Sequence, residues 1–234
     1  MNISKEELIS VLPFKLNEQS FTLLSKNISI VKFKLGQEII EKSTIPARVF
    51  IIKSGYARLL GEHNNKLKSL YKFGIGSLLG HSSIINKIPM EYITATEDLI
   101  AYSIEQNIFE KIYTQDEYFQ KYINQTIFPQ EIFYVLSSFL NVTPRADLDI
   151  NDIFKEAIKN FKKVSSDNNQ NLTKAFLEKY YFYSKEDIFA GSINRKRDIN
   201  YFLGKNEDWQ LYALPKLFVN NLIPDFDNDQ TKLS

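Results

Sequence analysis

Apolar and polar residues change rhythm several times along this chain. Between residues 4 and 26 they recur at helical spacing, with Leu8, Leu12, Phe21 and Leu24 forming a stripe that Pro13 interrupts. Ser4 followed by Glu7 has the spacing of a capping box, so a helix is expected to start there. From residue 28 the rhythm shortens. Runs rich in Ile, Val, Leu and aromatics at 28–33, 37–41, 49–53, 56–60, 66–73, 91–96 and 99–104 read as strands. In Lys66–Phe73 the lysines fall mainly on one face and Leu67, Tyr71 and Phe73 on the other, which predicts a half-buried strand. Gly36, Gly55, Gly76 and Gly80 punctuate these runs, where positive φ or close packing is expected. Strands separated by such turns predict an antiparallel sandwich or barrel.

From Glu105 to Leu140 the period is helical again, through Ile108, Ile112, Phe119, Tyr122, Ile123, Phe133, Leu136 and Leu140. Pro129 breaks it. A proline inside a helix costs ~3 kcal/mol, so two helices are expected rather than one rod. Residues 141–150 read as a turn, and 151–164 as a helix with Ile153, Phe154, Ala157, Ile158 and Phe161 on one face. The polar run Ser165–Asn171 reads as a mobile linker, followed by a helix near 172–183 and a basic triplet at 195–197. The acidic tail after Asp225 is expected to fray.

Composition narrows the chemistry. Of 234 residues, 44% are hydrophobic, with 18 Phe and 13 Tyr, enough for a sizeable core. A net charge of +1 supplies no long-range field toward nucleic acid or acidic lipid. With no cysteine, disulfides and thiol chemistry are excluded, and two histidines, His63 and His81, leave little for a metal site, so none is assigned. The N-terminus lacks a signal-peptide pattern and no apolar run could span a bilayer, so a soluble, cytoplasmic chain is expected. There is no Gly-x-Ser-x-Gly, Walker loop or Cys nucleophile, so no catalytic residue and no cofactor is assigned. The pairs Glu97–Asp98 and Glu186–Asp187 read as solvated turns or helix starts, and His63 as a solvated hairpin tip.

Within the β-rich region the order of residues says more. Phe33-x-x-Gly36-x-x-Ile39 is followed by Phe50-Ile51-x-x-x-Gly55-x-Ala57-Arg58-Leu59, then Gly76-x-x-x-Gly80, Ile93-x-Ala95 and a closing Phe109. This series resembles the cyclic-nucleotide-binding domain, the effector module of catabolite-activator-type regulators, nucleotide-dependent kinases and some channels. The resemblance implies a fold that is mainly β with helical appendages: a double-stranded β-helix (jelly-roll) barrel plus an α-helical C-terminal region. The expected domains are a leading helix at 1–27, the barrel and following helix at 28–125, and a helical C-terminal region at 126–234.

In that family a Gly-Glu pair and a later Arg followed by Ser or Thr hold the ligand. The Glu accepts from the ribose hydroxyl and the Arg makes a charge-assisted pair with the cyclic phosphate. Here Gly80 stands in place, but the Glu position is His81, followed by Ser82 and Ser83. The Arg position falls at Pro89 and the next at Met90, with Glu91 beyond and Lys87 as the nearby cation. An unpaired phosphate in a closed pocket leaves several kcal/mol of desolvation unoffset, and an inward Glu91 would repel it. Gly80, His81, Ser82, Ser83, Met90 and Glu91 are therefore the candidate ligand-binding residues of a degenerate cassette, one not expected to hold cAMP or cGMP in the family manner. Ser82 and Ser83 are expected to cap the short helix, and His81 either bonds to backbone at its start or makes an anion- or pH-sensitive contact.

Many relatives carry a helix-turn-helix after the barrel. The candidate here is Ser184–Leu203, where Arg195, Lys196 and Arg197 would suit phosphate contacts. Phe189 occupies a small-residue site and Ile193 the turn site, so specific DNA binding is not expected and the triplet reads as a solvated helix face. A second, weaker resemblance is to the N-terminal regulatory region of cyanobacterial peptidase-containing ABC exporters, carried by Pro129-Gln130-Glu131-Ile132-Phe133-Tyr134-Val135-Leu136 and Asp208-Trp209-Gln210-Leu211-Tyr212. Tyr180, Tyr181, Phe182, Tyr183, Trp209, Leu211, Tyr212, Leu214, Leu217 and Phe218 read either as an exposed aromatic docking patch or as buried core. The resulting expectation is a non-catalytic regulatory, sensor or docking module. Its partner is a protein, a membrane exporter in one version, and its small-molecule effector is unknown. The alternative is an effector-binding Crp-type transcription regulator.

Overall fold

The computed structural model describes residues 5–142, 148–166, 172–192, 196–203, 209–223 and 226. The chain divides into two compact units, Met1–Ile123 and Asn124–Ser234.

The first unit opens with helices α1 (Lys5–Val11) and α2 (Glu18–Asn27), broken around Pro13 as the pattern predicts. Ser4 lies outside the described residues. Glu7, its expected capping partner, accepts from the Lys53 ammonium and, at 3.1 Å, from the Tyr102 hydroxyl. Asn17 caps α2, its side chain accepting from Ser20 N at 2.8 Å.

Eight strands follow: β1 (Ser29–Phe33), β2 (Glu38–Ile40), β3 (Arg48–Ser54), β4 (Ala57–His63), β5 (Lys66–Phe73), β6 (Leu78–Leu79), β7 (Ile93–Ala95) and β8 (Leu99–Glu105). They pair antiparallel in two four-stranded sheets, β1-β8-β3-β6 and β2-β7-β4-β5. Helix α3 (His81–Asn86) lies between β6 and β7. Val49, Ile51, Leu59, Ile93 and Ala101 are fully buried and form the barrel core. Seven of these strands match the expected runs; β6, two residues long, is too short to leave a period.

One strand departs from its pattern. β5 is the edge of its sheet, and a register shift at Leu59/Leu60 interrupts its pairing. Leu67 is 51% and Tyr71 37% exposed, and only Phe73 at the strand's end is buried. Lysines on such an edge discourage pairing with another chain. His63 sits at the hairpin tip as expected, but its Nε2 is buried with no hydrogen-bond partner among the described residues rather than solvated.

The helical stretch after the barrel divides into three: α4 (Gln106–Gln115), α5 (Glu117–Gln125) and α6 (Pro129–Val142). Pro129 begins a helix, where its missing N–H costs nothing. The additional break falls at Asp116, which is buried and accepts from Phe119 N at 3.0 Å and Asn17 N at 2.8 Å. A carboxylate that caps one helix and also holds the chain before α2 cannot stay inside a continuous helix.

The second unit holds α6, α7 (Ile150–Asn160), β9 (Lys162–Ser165), α8 (Lys174–Lys179), β10 (Tyr180–Ser184), α9 (Lys185–Phe189), α10 (Ile199–Leu203), β11 (Gln210–Pro215) and α11 (Lys216–Leu222). Alongside the expected helices stands an antiparallel sheet ordered β10-β11-β9, which the helical pattern concealed. The predicted helix over 151–164 ends at Asn160, and Val164 pairs with Leu211 in β9. Phe161 and Val164 are three residues apart, a spacing that fits a helix until a partner strand is present. The predicted helix near 172–183 likewise gives way to β10 at Tyr180, as a run of aromatics favours once paired. Ser165 belongs to β9, and 167–171 of the expected linker lie outside the described residues, as does the tail apart from Phe226.

The exposed aromatic patch is not formed. Tyr181, Phe182, Tyr183, Trp209, Leu211, Tyr212, Leu214 and Phe218 are all buried; Leu217 alone of the set stands out, 75% exposed. Val164, Phe182, Ile199, Trp209, Leu211 and Ala213 form one core cluster. Large aromatics beside a sheet bury because each removes so much apolar area from water.

Candidate functional site

Gly80 enters α3 in the left-handed region, at φ +87°. A Cβ there would stand 2.8 Å from the Arg48 carbonyl oxygen and 3.0 Å from Ile40 Cδ1. The expected loop shape therefore persists. The side chains that follow turn inward: His81, Ser82, Ser83, Met90 and Glu91 are all buried.

Ser83 is the hub. Its hydroxyl donates to Glu91 Oε2 at 3.0 Å and accepts from Met90 N at 3.0 Å. Asn86, which the pattern did not single out, donates from Nδ2 to the Ser82 carbonyl at 2.9 Å and lies 3.2 Å from Met90 Sδ. Ser82 Oγ lies 3.3 Å from His81 Nε2. Neither serine is the N-cap, a position held by Gly80; the Ser83 hydroxyl serves the loop returning through Met90 and Glu91, and the Ser82 hydroxyl lies against His81. Lys87 points elsewhere, paired with Glu110. The six candidate residues are thus brought together, but their polar groups largely satisfy one another. Sequence spacing could bring Glu91 near the cassette; only the bend of α3 and the chain after it places Glu91 against Ser83.

A second polar cluster lies in the core of the other unit. Lys163 Nζ donates to both Glu131 oxygens, at 2.9 and 3.1 Å, and to the Thr126 carbonyl at 3.1 Å. Phe128 N donates to Glu131 Oε2 at 3.0 Å, and the Tyr212 hydroxyl to Oε1 at 3.2 Å. Burial, with the adjacent Glu131 carboxylate, raises Tyr212 well above the ordinary tyrosine range. Glu131 and Tyr212 belong to the two segments quoted for the exporter resemblance, so those segments meet here. β9 supplies the cation between them, and Lys163 carried no signal because its strand read as a helix end.

Within Ser184–Leu203 the described residues form two short helices, α9 and α10. α9 and α10 are five residues each among the described residues, and Ile193 and Arg195 lie outside them. Asp187, expected to be solvated, is buried and holds Arg197 through bonds of 2.5 and 2.8 Å. Burial pushes the Asp187 carboxyl up, but hydrogen bonds from Arg197 and Ser184 outweigh it and leave it below the usual value. A depressed carboxylate stabilises the fold above its unfolded pKa, and that contribution fades as pH falls through the folded value. The second unit is accordingly expected to lose stability as pH drops below the ordinary aspartate value of about 3.9. Urea midpoints measured across acid pH check this. Asp187→Asn should lower stability near neutrality and flatten the acid slope; an unchanged slope would remove the pair from this account.

No helix among the described residues is long and apolar enough to cross a membrane, and no group of three or more potential metal-ligating His, Cys, Asp or Glu occurs among them.

No protein-family model matches the chain, and no curated protein matches it. Solved structures similar to it include the following three. PKAR CBD2 bound to Sp-2Cl-cAMPS is 14% identical, with 42% of this chain and 65% of that chain covered and a TM-score of 0.37. A cyclic nucleotide-binding-like protein from Brucella abortus is 19% identical, with 42% and 86% covered and a TM-score of 0.38. The catabolite activator protein of Thermus thermophilus is 17% identical, with 42% and 47% covered and a TM-score of 0.38. The chain spans less than two thirds of the first and third of these. The strand order and registers given above stand as the description of the barrel.

Proposed function

We propose that this chain is a non-catalytic regulatory docking module whose barrel, cyclic-nucleotide-binding-like in fold, does not take up cAMP or cGMP. The observation that carries this reading is the buried Glu91 carboxylate on Ser83, 3.0 Å away, in the cassette itself. With that carboxylate ionised, a cyclic phosphate brought beside it would meet a like charge. At about 4 Å such a pair costs roughly 1 kcal/mol in water and 4 kcal/mol at a protein surface. Pro89 supplies no guanidinium to offset that cost, and Lys87 is engaged with Glu110.

Calorimetry with each nucleotide at physiological salt is expected to show no binding tighter than about 1 mM, which corresponds to about −4 kcal/mol. A sub-micromolar dissociation constant for either would overturn the reading. Pro89→Arg combined with His81→Glu and Glu91→Gln should then gain affinity, since it restores the cation and the ribose acceptor and removes the repulsion.

The finer assignment is to the cytoplasmic side of a peptide or toxin ABC exporter, with the exporter as protein partner. What supports it is the meeting of the two resembling segments at Glu131 and Tyr212. A neighbouring exporter gene is the observation that tests it; consistent separation from any exporter would remove it. A Crp-type role is less favoured, because Arg197 is committed to Asp187 rather than offered to a phosphate backbone.

A further inference from the structure

In the first unit, α1, α2 and the residues joining them form a cleft of about 480 Å³. Ile9, Leu12, Phe14, Leu16 and Phe21 line it, and Lys15 and Glu18 are the charged groups of the lining. Small-molecule pockets run from roughly 300 to 1,000 Å³, so the space suits a small ligand. The chain around it is fixed by contacts within the same unit. Asn17 N donates to Asp116 Oδ2 at 2.8 Å, and the Asn17 side chain accepts from Ser20 N at 2.8 Å. The Phe14 ring packs on Phe119 and Tyr122, with centroids 4.4 and 5.5 Å away. These ties hold the walls before a ligand arrives, so little ordering is needed on binding.

The fold leaves two features of this cleft unused. Ile9 is 54% exposed although it is part of the apolar wall. Lys15 and Glu18 are exposed, and neither is engaged in an ion pair among the described residues. The cleft thus offers an apolar wall and one free charge of each sign, three positions apart at the start of α2.

We infer that this cleft binds an apolar dipeptide with both termini free, its carboxylate at Lys15, its ammonium at Glu18 and its side chains on the apolar wall. Charge complementarity decides the ligand class. A fatty acid would suit Lys15 but bring its carboxylate beside Glu18, and an alkylamine would meet the reverse conflict. Burial of the two side chains supplies most of the affinity, while the exposed rim pairs, each worth little, set which ligand is accepted. The inference goes beyond the regulatory reading above, to which it adds an effector, and it uses no residue of the cassette.

The test uses the full chain, isotope-labelled, and follows its amide NMR shifts during titration with leucylleucine. N-acetyl-leucylleucine amide and decanoate are the comparison probes. Saturable shifts centred on residues 9–21 are expected for leucylleucine, with binding severalfold tighter than for either comparison. Lys15→Gln and Glu18→Gln should each weaken the free dipeptide about twofold to fivefold and leave the blocked one unchanged, a pattern that a merely structural effect would not give. Ile9→Ser should weaken both peptides, and Lys26→Gln, at the other end of α2, neither. No saturable shift, equal affinity for the free and blocked dipeptides, or tighter binding of decanoate would each overturn the inference. Cyclic-nucleotide calorimetry on the same protein reads the barrel separately, so failure of the cleft and failure of the barrel reading are told apart.

Discussion

Lys163→Ala is expected to remove about 3–5 kcal/mol from the stability of the second unit, the usual loss when one partner of a buried ion pair is deleted. The side chains of Lys163 and Glu131 are only 3% and 5% exposed. Removing the ammonium leaves the carboxylate in the core with Phe128 N and the Tyr212 hydroxyl donating to it among the described residues, and takes the Lys163 donor from the Thr126 carbonyl. Adding Glu131→Gln should recover part of the loss, because the stranded charge disappears, although the amide cannot accept from both remaining donors as well as a carboxylate. Trp209 is the chain's one tryptophan and is buried in this unit, so its emission during urea denaturation reports this unit directly. A loss below ~1 kcal/mol for Lys163→Ala would mean that the pair is wetter and weaker than its burial implies.

Gly80→Ala should cost about 3 kcal/mol, the sum of ~1–2 kcal/mol for a side chain in the left-handed region and ~1–3 kcal/mol for forcing a methyl group into a packed site. The obstacle is the Arg48 backbone carbonyl, 2.8 Å from the new carbon, which cannot swing aside as a flexible side chain would. Gly36→Ala is the control. Its φ is +79°, but nothing lies within 4 Å of the added carbon, so only the backbone cost of ~1–2 kcal/mol is expected. Calorimetric melting of both variants separates the two contributions. Equal losses would show that the loop before α3 yields, and that the cassette geometry is softer than described.

The barrel was legible because its strands are bounded by turn residues and paired along most of their length. Gly36, Gly55, Gly76 and Gly80 all adopt positive φ, as their placement between β-type runs led one to expect. The second unit was less legible. KKVS and YYFYS sit beside helices, and a strand of four or five residues shows too few repeats to distinguish a period of two from one of 3.6. Asp116 breaks a helix for a reason lodged ninety-nine positions away, at Asn17. No local window contains that partner.

The candidate cassette divides along the same line. The sequence by itself determined the absence of a cation at Pro89 and of a carboxylate at His81, because chemical identity needs no coordinates. It also determined the left-handed entry at Gly80, a local property of one residue and its neighbours. Only the tertiary structure decided that Glu91 turns inward onto Ser83, that Lys163 rather than a nearer cation meets Glu131, and that the aromatics of β10 and β11 close into a core. Each of these depends on which distant segments pack together. Burial, in turn, sets whether a charge must find a partner or can remain in water.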